Sequence, residues 1–378
     1  MDQALAQNLT AWRRHLHAHP GLTLNEGETA AFVAARLREM GVEVTEGVGG
    51  HGVVGTIRRG GNRSVGLRGD MDALPIQELN PELPHRSTIP GVMHACGHDG
   101  HTAALLAAAE ALAGDPAFSG VVHFIFQPAE EHGRGMQAML DDGLLERFPM
   151  DEAYGLHIMP GLPLGRFATR AGPVMAAEDN FTITVHGRGG HAARPHTAID
   201  PILAASAIVL ALQGIVARRL DPVSEGVVSV TEFTTDGTRN VIPTTAILRG
   251  DCRSYTAEVS ALIEAEMRRI AEGTAAAHGA MAELAYTREF IPTTNAPGPT
   301  EAAQRAAGDG AGPCAPVMAS EDFARLLARV PGNFTFVGNG DSAGLHNPAF
   351  EFNDEALPHM VGYYLRLVRD RLAVSAGA

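Results

Sequence analysis

The sequence predicts an α/β protein: a mixed-sheet domain with flanking helices, interrupted by a smaller inserted α+β domain of ferredoxin-like order. Three observations predict it. At 378 residues the chain exceeds what one hydrophobic core usually serves, so two domains are expected. Four short apolar strands each hand over directly to acidic or imidazole side chains, as strand ends do in α/β proteins. Between about Asp179 and Phe290 the pattern changes to β-α-β-β-α-β.

The first 40 residues read as helix, with Ala30–Met40 ending at Gly41. Val42–Thr45 and Val53–Arg58 read as strands around the glycine-rich turn 47–52. That turn formally fits a dinucleotide-binding glycine fingerprint, but the β-branched run after it denies the required helix, so a hairpin is expected. The four strand ends follow: Val65–Gly69 before Asp70-Met71-Asp72, and Val121–Phe126 before Gln127-Pro128-Ala129-Glu130-Glu131. Ala153–Leu156 runs into His157, and Phe334–Val337 runs through a glycine-rich loop to His346. In the insertion, Asn180–Val185, Val227–Thr234, Ala246–Tyr255 and Met281–Phe290 read as strands. Pro201–Arg219 and Ala257–His278 read as its helices. The Gly/Ala/Pro-rich stretch 295–316 is expected to hold a helix flanked by loops. The boundaries are then 1–178 plus 291–378 for the first domain and 179–290 for the insertion.

The most informative stretch is His94-Ala95-Cys96-Gly97-His98-Asp99-Gly100-His101, followed by the apolar helical segment Thr102–Leu112. A thiol and an imidazole two residues apart on a glycine turn can face one ion, and both are ligands that zinc and similar metals prefer. A buried thiol beside helix-capping histidines is the plain alternative for this segment alone. With the strand ends added, Cys96, His98, Glu131, His157 and His346 form a candidate ligand set. Five ligands exceed the needs of one tetrahedral ion and suit two ions sharing an anionic bridge. Cys96 can bridge, with His98 and His157 completing one site and Glu131 and His346 the other. The neighbouring Glu130 is then left for acid–base work.

Composition narrows the chemistry. The net charge of −14 argues against nucleic acid, which needs a basic face. All 29 basic residues are Arg, which excludes a Gly-Lys-Ser/Thr phosphate loop and Schiff-base catalysis on the chain. Arg accepts no proton near neutral pH, so acid–base steps fall to His, Asp, Glu, Tyr or Cys. Three widely spaced cysteines, Cys96, Cys252 and Cys314, argue against a disulfide framework. No secretory signal is expected from Met1-Asp2-Gln3, and the apolar helix candidates, such as Ile202–Val216, read as too short and too polar at their ends to span a bilayer. A cytoplasmic protein without a membrane partner is the expectation.

The strings RGDMDALP (68–75), MHACGHDGHTA (93–103), FQPAEE (126–131), GLHIMP (155–160), GRGGHAARPH (187–196), SEDF (320–323) and LHNPAFEFND (345–354) occur in order. Together they resemble the aminoacylase/carboxypeptidase family of dinuclear metallohydrolases, in the branch of hippurate hydrolases, N-acyl-amino-acid amidohydrolases and auxin-conjugate hydrolases. The resemblance runs from about Trp12 to the final helix near Leu367. It implies a zinc-exopeptidase-like catalytic domain and an inserted lid and dimerisation domain. It implies two divalent ions per subunit, zinc or manganese, on Cys96 as bridge with His98, Glu131, His157 and His346. Glu130 matches the general base, and Asp72 the acid supporting the metal site. Asp70 stands where other branches carry a ligand His. His191 matches a histidine reaching toward a neighbouring subunit's site, and Asn240 and Arg253 match groups holding the substrate's carbonyl and carboxylate.

The activity so implied is hydrolysis of the amide bond of N-acyl amino acids by a homodimer or higher oligomer. A dipeptidase or carboxypeptidase of the same fold and a non-catalytic metal-retaining binding protein are the competing readings; Glu130 speaks against the latter. Two departures bear on substrate choice: Gly250-Asp251-Cys252-Arg253-Ser254 replaces the branch's Gly-Thr-Val-Arg-Thr, and His17-Ala18-His19-Pro20-Gly21 departs from a Pro-Glu-Leu ending. His94 and His101 flank the metal motif as candidates for supporting roles. His15, His19, His123, His132, His278 and His359, and Cys252 and Cys314, are expected to be ordinary.

Overall fold

The structure, a computed structural model, describes residues 3–374. In chain order its main elements begin with α1 (Gln3–Ala18), α2 (Gly27–Glu39), β1 (Glu43–Val48), β2 (Gly52–Arg59) and β3 (Ser64–Asp70). Next come α3 (His98–Gly114), β4 (Gly120–Gln127) and β5 (Glu152–Pro160). The middle of the chain supplies β6 (Ala177–His186), α4 (Pro201–Arg218), β7 (Gly226–Thr235), β8 (Thr245–Ser254), α5 (Ala257–Ala277) and β9 (Met281–Phe290). Finally come α6 (Pro297–Ala307), β10 (Gly332–Gly340) and α7 (Leu357–Arg371). The chain divides into two compact units, Met1–Val174 with Thr294–Ala315 and Asp322–Ala378, and Met175–Thr293 with Pro316–Glu321.

The first unit is built on a mixed eight-stranded sheet in the order β1-β2-β4-β3-β5-β10, then the short strands Phe167–Ala168 and Ala311–Gly312. β3, β4, β5 and β10 run parallel, and the β1–β2 hairpin adds an antiparallel edge. The central strands are buried on both faces and read as continuous apolar runs for that reason. Beyond its first turn helix α3 is apolar on nearly every face, as suits a helix enclosed by protein. It packs on α1, α7 and β3.

Helix α3 begins at His98, not Thr102. Gly97 turns the chain in with a φ of 85°, which admits the polar run His98-Asp99-Gly100-His101 to the first helical turn. The four strand ends with chemistry-bearing residues all lie in this unit, at the carboxyl ends of β3, β4, β5 and just beyond β10.

The second unit is a four-stranded antiparallel sheet ordered β7-β8-β6-β9, the ferredoxin-like arrangement, with α4 and α5 packed against it. Its core is made by Ile183, Ile208, Leu248 and Met267, among others. Asp200 caps α4 by accepting from Ile202 N at 2.9 Å, and Thr256 caps α5 by accepting from Val259 N at 3.2 Å. Residues Pro316–Glu321 belong here because Val317 bridges Met175 and Ser320 reaches Glu178.

One expectation is corrected. Helix α4, with 18 residues and a mean hydropathy of 1.8, does reach the length and apolar character of a membrane span, alone among the described residues. Its apolar side chains occupy two faces: Ala204, Ala205, Ile208, Leu212 and Ile215 are buried in the unit's core, whereas Ile202, Leu203, Leu210 and Val216 are exposed.

Candidate metal centre

The first unit gathers Cys96, His98, Glu130, Glu131, His157, His346 and Asp72. Among the described residues, five groups of donor atoms each lie within 4.8 Å, including one of Cys96, His98 and His157 and one of Cys96, Glu131 and His346; the others are Asp70 with His98 and His101, His98 with Glu130 and Glu131, and Glu130 with Glu321 and Asp322. Cys96 is common to the first two.

Each imidazole is oriented by what its other nitrogen does. His157 Nδ1 donates to its neighbour's carbonyl, Ile158 O, at 2.7 Å, so Nε2 is the bare nitrogen, 3.5 Å from Cys96 Sγ. His98 Nδ1 donates to Asp72 O at 2.9 Å and lies 3.2 Å from Asp72 Oδ1, which leaves Nε2 toward the centre. That Nε2 is buried without a hydrogen-bond partner, as is Glu131 Oε1. His346 Nε2 lies 3.3 Å from Glu131 Oε1. His346 itself takes a left-handed φ of 61°, with its N–H on Ala95 O at 2.8 Å. Backbone of the cysteine motif thus anchors a candidate ligand contributed from beyond β10.

The residues fit a pair of cations. A buried polar atom with no hydrogen-bond partner is costly, and a cation beside the shared thiol would satisfy both Glu131 Oε1 and, on loss of its proton, His98 Nε2. The field agrees. Burial opposes charge on His98, yet Asp70, Asp72 and Glu131 around it hold its pKa up at about 10. Burial and then Glu131, Glu130 and Asp70 push the Cys96 thiol well up, a negative potential that favours a dication and, with it, the thiolate.

Three supporting residues were only partly legible from sequence. Asp72 holds His98 and also accepts Glu131 N–H at 3.0 Å; burial works against its charge, but these hydrogen bonds keep its carboxyl low. Asp70 pairs with buried Arg68 at 2.7 Å and with His101 Nδ1 at 2.7 Å, while its Oδ2 lies 3.6 Å from His98 Nε2. His101 accepts Ile158 N–H on Nε2 at 2.9 Å, so it is a neutral bridge that steadies the strand beside His157.

A second buried chain was missed. His17 Nδ1 lies 2.8 Å from Asp99 Oδ2, its Nε2 lies 3.3 Å from Glu78 Oε1, and Arg13 lies 3.5 Å from Asp99. Asp99 follows His98 directly, so this chain ties α1 to the first turn of α3.

The other predicted residues lie in the second unit. His191 is exposed on the two-residue strand Gly190–His191, opposite Val241, and Asn240 O accepts Ala192 N–H at 3.1 Å, so His191 and Asn240 are neighbours. Arg253 lies apart from them on β8, its guanidinium on Asp251 and Glu178, both at 2.8 Å. A substrate carboxylate at Arg253 would therefore compete with two internal ones.

Residues 66–370 match the profile described as Peptidase family M20/M25/M40. The chain belongs to that family. It is 39% identical over 362 residues to hippurate hydrolase of Campylobacter jejuni, covering 94% of each chain. It is 37% identical over 374 residues to an N-acetylcysteine deacetylase of Bacillus subtilis, covering 97% of each. Among solved structures, a dinuclear metal-binding peptidase of the M20 family from Bacillus subtilis superposes with a TM-score of 0.88 at 34% identity, over 98% of this chain and 99% of that one.

Proposed function

We propose that this M20 protein is a metal-dependent hydrolase cleaving the amide bond of N-acyl amino acids to a carboxylic acid and a free amino acid. One observation carries the reading: two donor clusters share Cys96 and carry orphaned buried atoms, with a further carboxylate, Glu130, directly beside them. The acyl-amino-acid substrates named for the relatives, hippurate and N-acetylcysteine, support the substrate class.

Cys96, His98 and His157 would hold one divalent ion, and Cys96, Glu131 and His346 the other; zinc and manganese both suit this N/O/S set. When bound, such a pair polarises the scissile carbonyl and lowers the pKa of water. Glu130, buried at 6% exposure, takes the proton of the attacking water and returns it to the leaving amine. Asp72 keeps His98 and Glu131 in place while this happens. His191 donates a hydrogen bond to the developing oxyanion, and Asn240 and Arg253 hold the substrate's carbonyl and carboxylate. The second unit, residues 175–293, acts as a lid and as a dimerisation domain, its exposed α4 face meeting a second copy. In a dimer His191 serves the partner's site.

The test is hydrolysis of hippurate, N-acetyl amino acids, a long-chain acyl amino acid and a dipeptide by metal-stripped protein, with zinc or manganese added back, beside Glu130→Ala. Metal-restored cleavage that the variant lacks supports the reading and ranks the acyl groups. Wild-type protein that binds two ions and cleaves nothing in the panel overturns the proposed substrate class.

A further inference from the structure

Helix α2 begins after Glu26, a residue whose carboxylate is well placed to cap it. It does not: no side-chain hydrogen bond from Glu26 caps α2. The side chain, fully buried, instead reaches across the sequence, and Oε1 accepts Ala129 N–H at 2.9 Å as well as Leu24 N–H at 2.8 Å. Its second oxygen, Oε2, is buried with no hydrogen-bond partner. A helix cap or water would satisfy a carboxylate far better, so this arrangement is not explained by the stability of α2.

What Glu26 holds is the turn that carries Glu130 and Glu131. Ala129 sits at a φ of 50°, a left-handed conformation that an alanine avoids and has no side-chain means to stabilise. The turn is fixed from both ends. Glu26 takes the N–H of the residue before Glu130, and Asp72 takes the N–H of the residue after it, at 3.0 Å. Behind the turn, Gly135 N–H closes on Ala129 O at 3.1 Å and Gly133 N–H on Glu130 O at 2.7 Å. The loop bearing Glu26 is itself stitched to the Asp72 strand end, through Thr23 N to Ala73 O at 3.1 Å and Ala73 N to Gly21 O at 2.8 Å. One rigid frame therefore links Glu26, Asp72 and the Glu130–Glu131 turn. Glu26 lies outside the stretch 66–370 that defines the family match.

We propose that Glu26 is a positioning residue of the active centre, which clamps Ala129 in its left-handed turn and so aims Glu130 as base and Glu131 as ligand. The inference rests on the roles given above to those two glutamates. It needs the acceptor oxygen of Glu26, not its charge, since both bonds run to backbone N–H groups. Glutamine keeps that oxygen; alanine removes it.

The experiment compares Glu26→Ala, Glu26→Gln and Glu26→Ala combined with Ala129→Gly, using an acyl amino acid that the wild type cleaves. Cobalt titration of the metal-stripped proteins and their thermal unfolding are followed alongside. For Glu26→Ala we expect kcat about 10- to 100-fold lower with KM little changed, the order of loss a small misplacement of a reacting group produces. Uptake of one of the two cobalt equivalents weakens about tenfold, as loss of a ligand's outer support does. Glu26→Gln stays within a few-fold of wild type, and Ala129→Gly, which makes the left-handed turn permissible, returns part of the loss. Wild-type kcat and cobalt uptake in Glu26→Ala would overturn the proposal, as would an equal loss in Glu26→Gln. A wild type that binds no cobalt would instead remove the reading of the centre itself, a result separable from failure of the clamp.

Discussion

Glu130, proposed above as the base, is flanked by residues whose backbone N–H groups are held by other carboxylates. Glu130→Gln should therefore lower kcat/KM by about 10²- to 10⁴-fold while two metal equivalents per chain, counted by elemental analysis, remain. His17 makes a different kind of prediction. Burial disfavours its charged form, but the hydrogen bonds to Asp99 and Glu78 win and raise its pKa to about 9. An unfolded histidine titrates near 6.5, so folding favours the proton here. The resulting stability is complete below about pH 6.5 and is lost as pH rises through about 9, on the order of 3 kcal/mol. Urea unfolding of the metal-free protein at pH 6 and pH 9.5 should show a loss that is smaller by about that amount in His17→Gln than in the wild type, the buried His98 contributing a loss of its own in both. The candidate donors that come together in the structure were legible because thiol, imidazole and carboxylate cluster in short strings. His17 and Glu26 were not, because their partners Asp99 and Ala129 are distant in sequence and nothing local signals the pairing.

At the scale of elements, α3 and the strand ends do most of the positioning. Every residue of α3 from His98 to Ala109 is buried, so its first turn can present His98 only if the helix lies close to its neighbours. Gly100 makes that approach possible: a Cβ there would overlap the ring of Phe352. Gly100→Ala should destabilise the metal-free protein by about 1–3 kcal/mol in chemical denaturation, and weaken metal binding with it, because the clash displaces the turn that bears His98. Apolar runs and glycine punctuation made nearly all the long elements readable. The start of α3 was not, since a polar string through Gly97 looks like loop until the burial of its partners is known. Phe167–Ala168 and Ala311–Gly312 are too short to carry any periodicity.

For the whole molecule, the change of pattern after Asp179 announced a second compact unit, and its strand order follows from that pattern. What the pattern did not reveal is the return of Pro316–Glu321 to it, held by the Val317–Met175 bridge, by Ala176 N–H on Val317 O and Ala319 O, and by Ser320 with Glu178 and Arg253. The exposed side of α4 offers the prediction proper to this scale. Leu210 is 75% exposed on an otherwise apolar helix. If that face joins two copies, sedimentation should find a dimer in the wild type and a monomer in Leu210→Glu, with the metal content of each chain unchanged; a wild-type monomer refutes the interface.

Strand β10 lies beside β5 in the middle of the large sheet, with Phe336 opposite His157, yet the whole second unit is encoded between them. During synthesis on a ribosome, β5 therefore leaves the exit tunnel long before the strand that covers its edge. Until β10 and His346 arrive, the nascent chain carries an open parallel edge and a half-built ion site. A chain arrested after β9 should take up one ion instead of two, and should be the stage at which neighbouring nascent chains on one message are most prone to stick together.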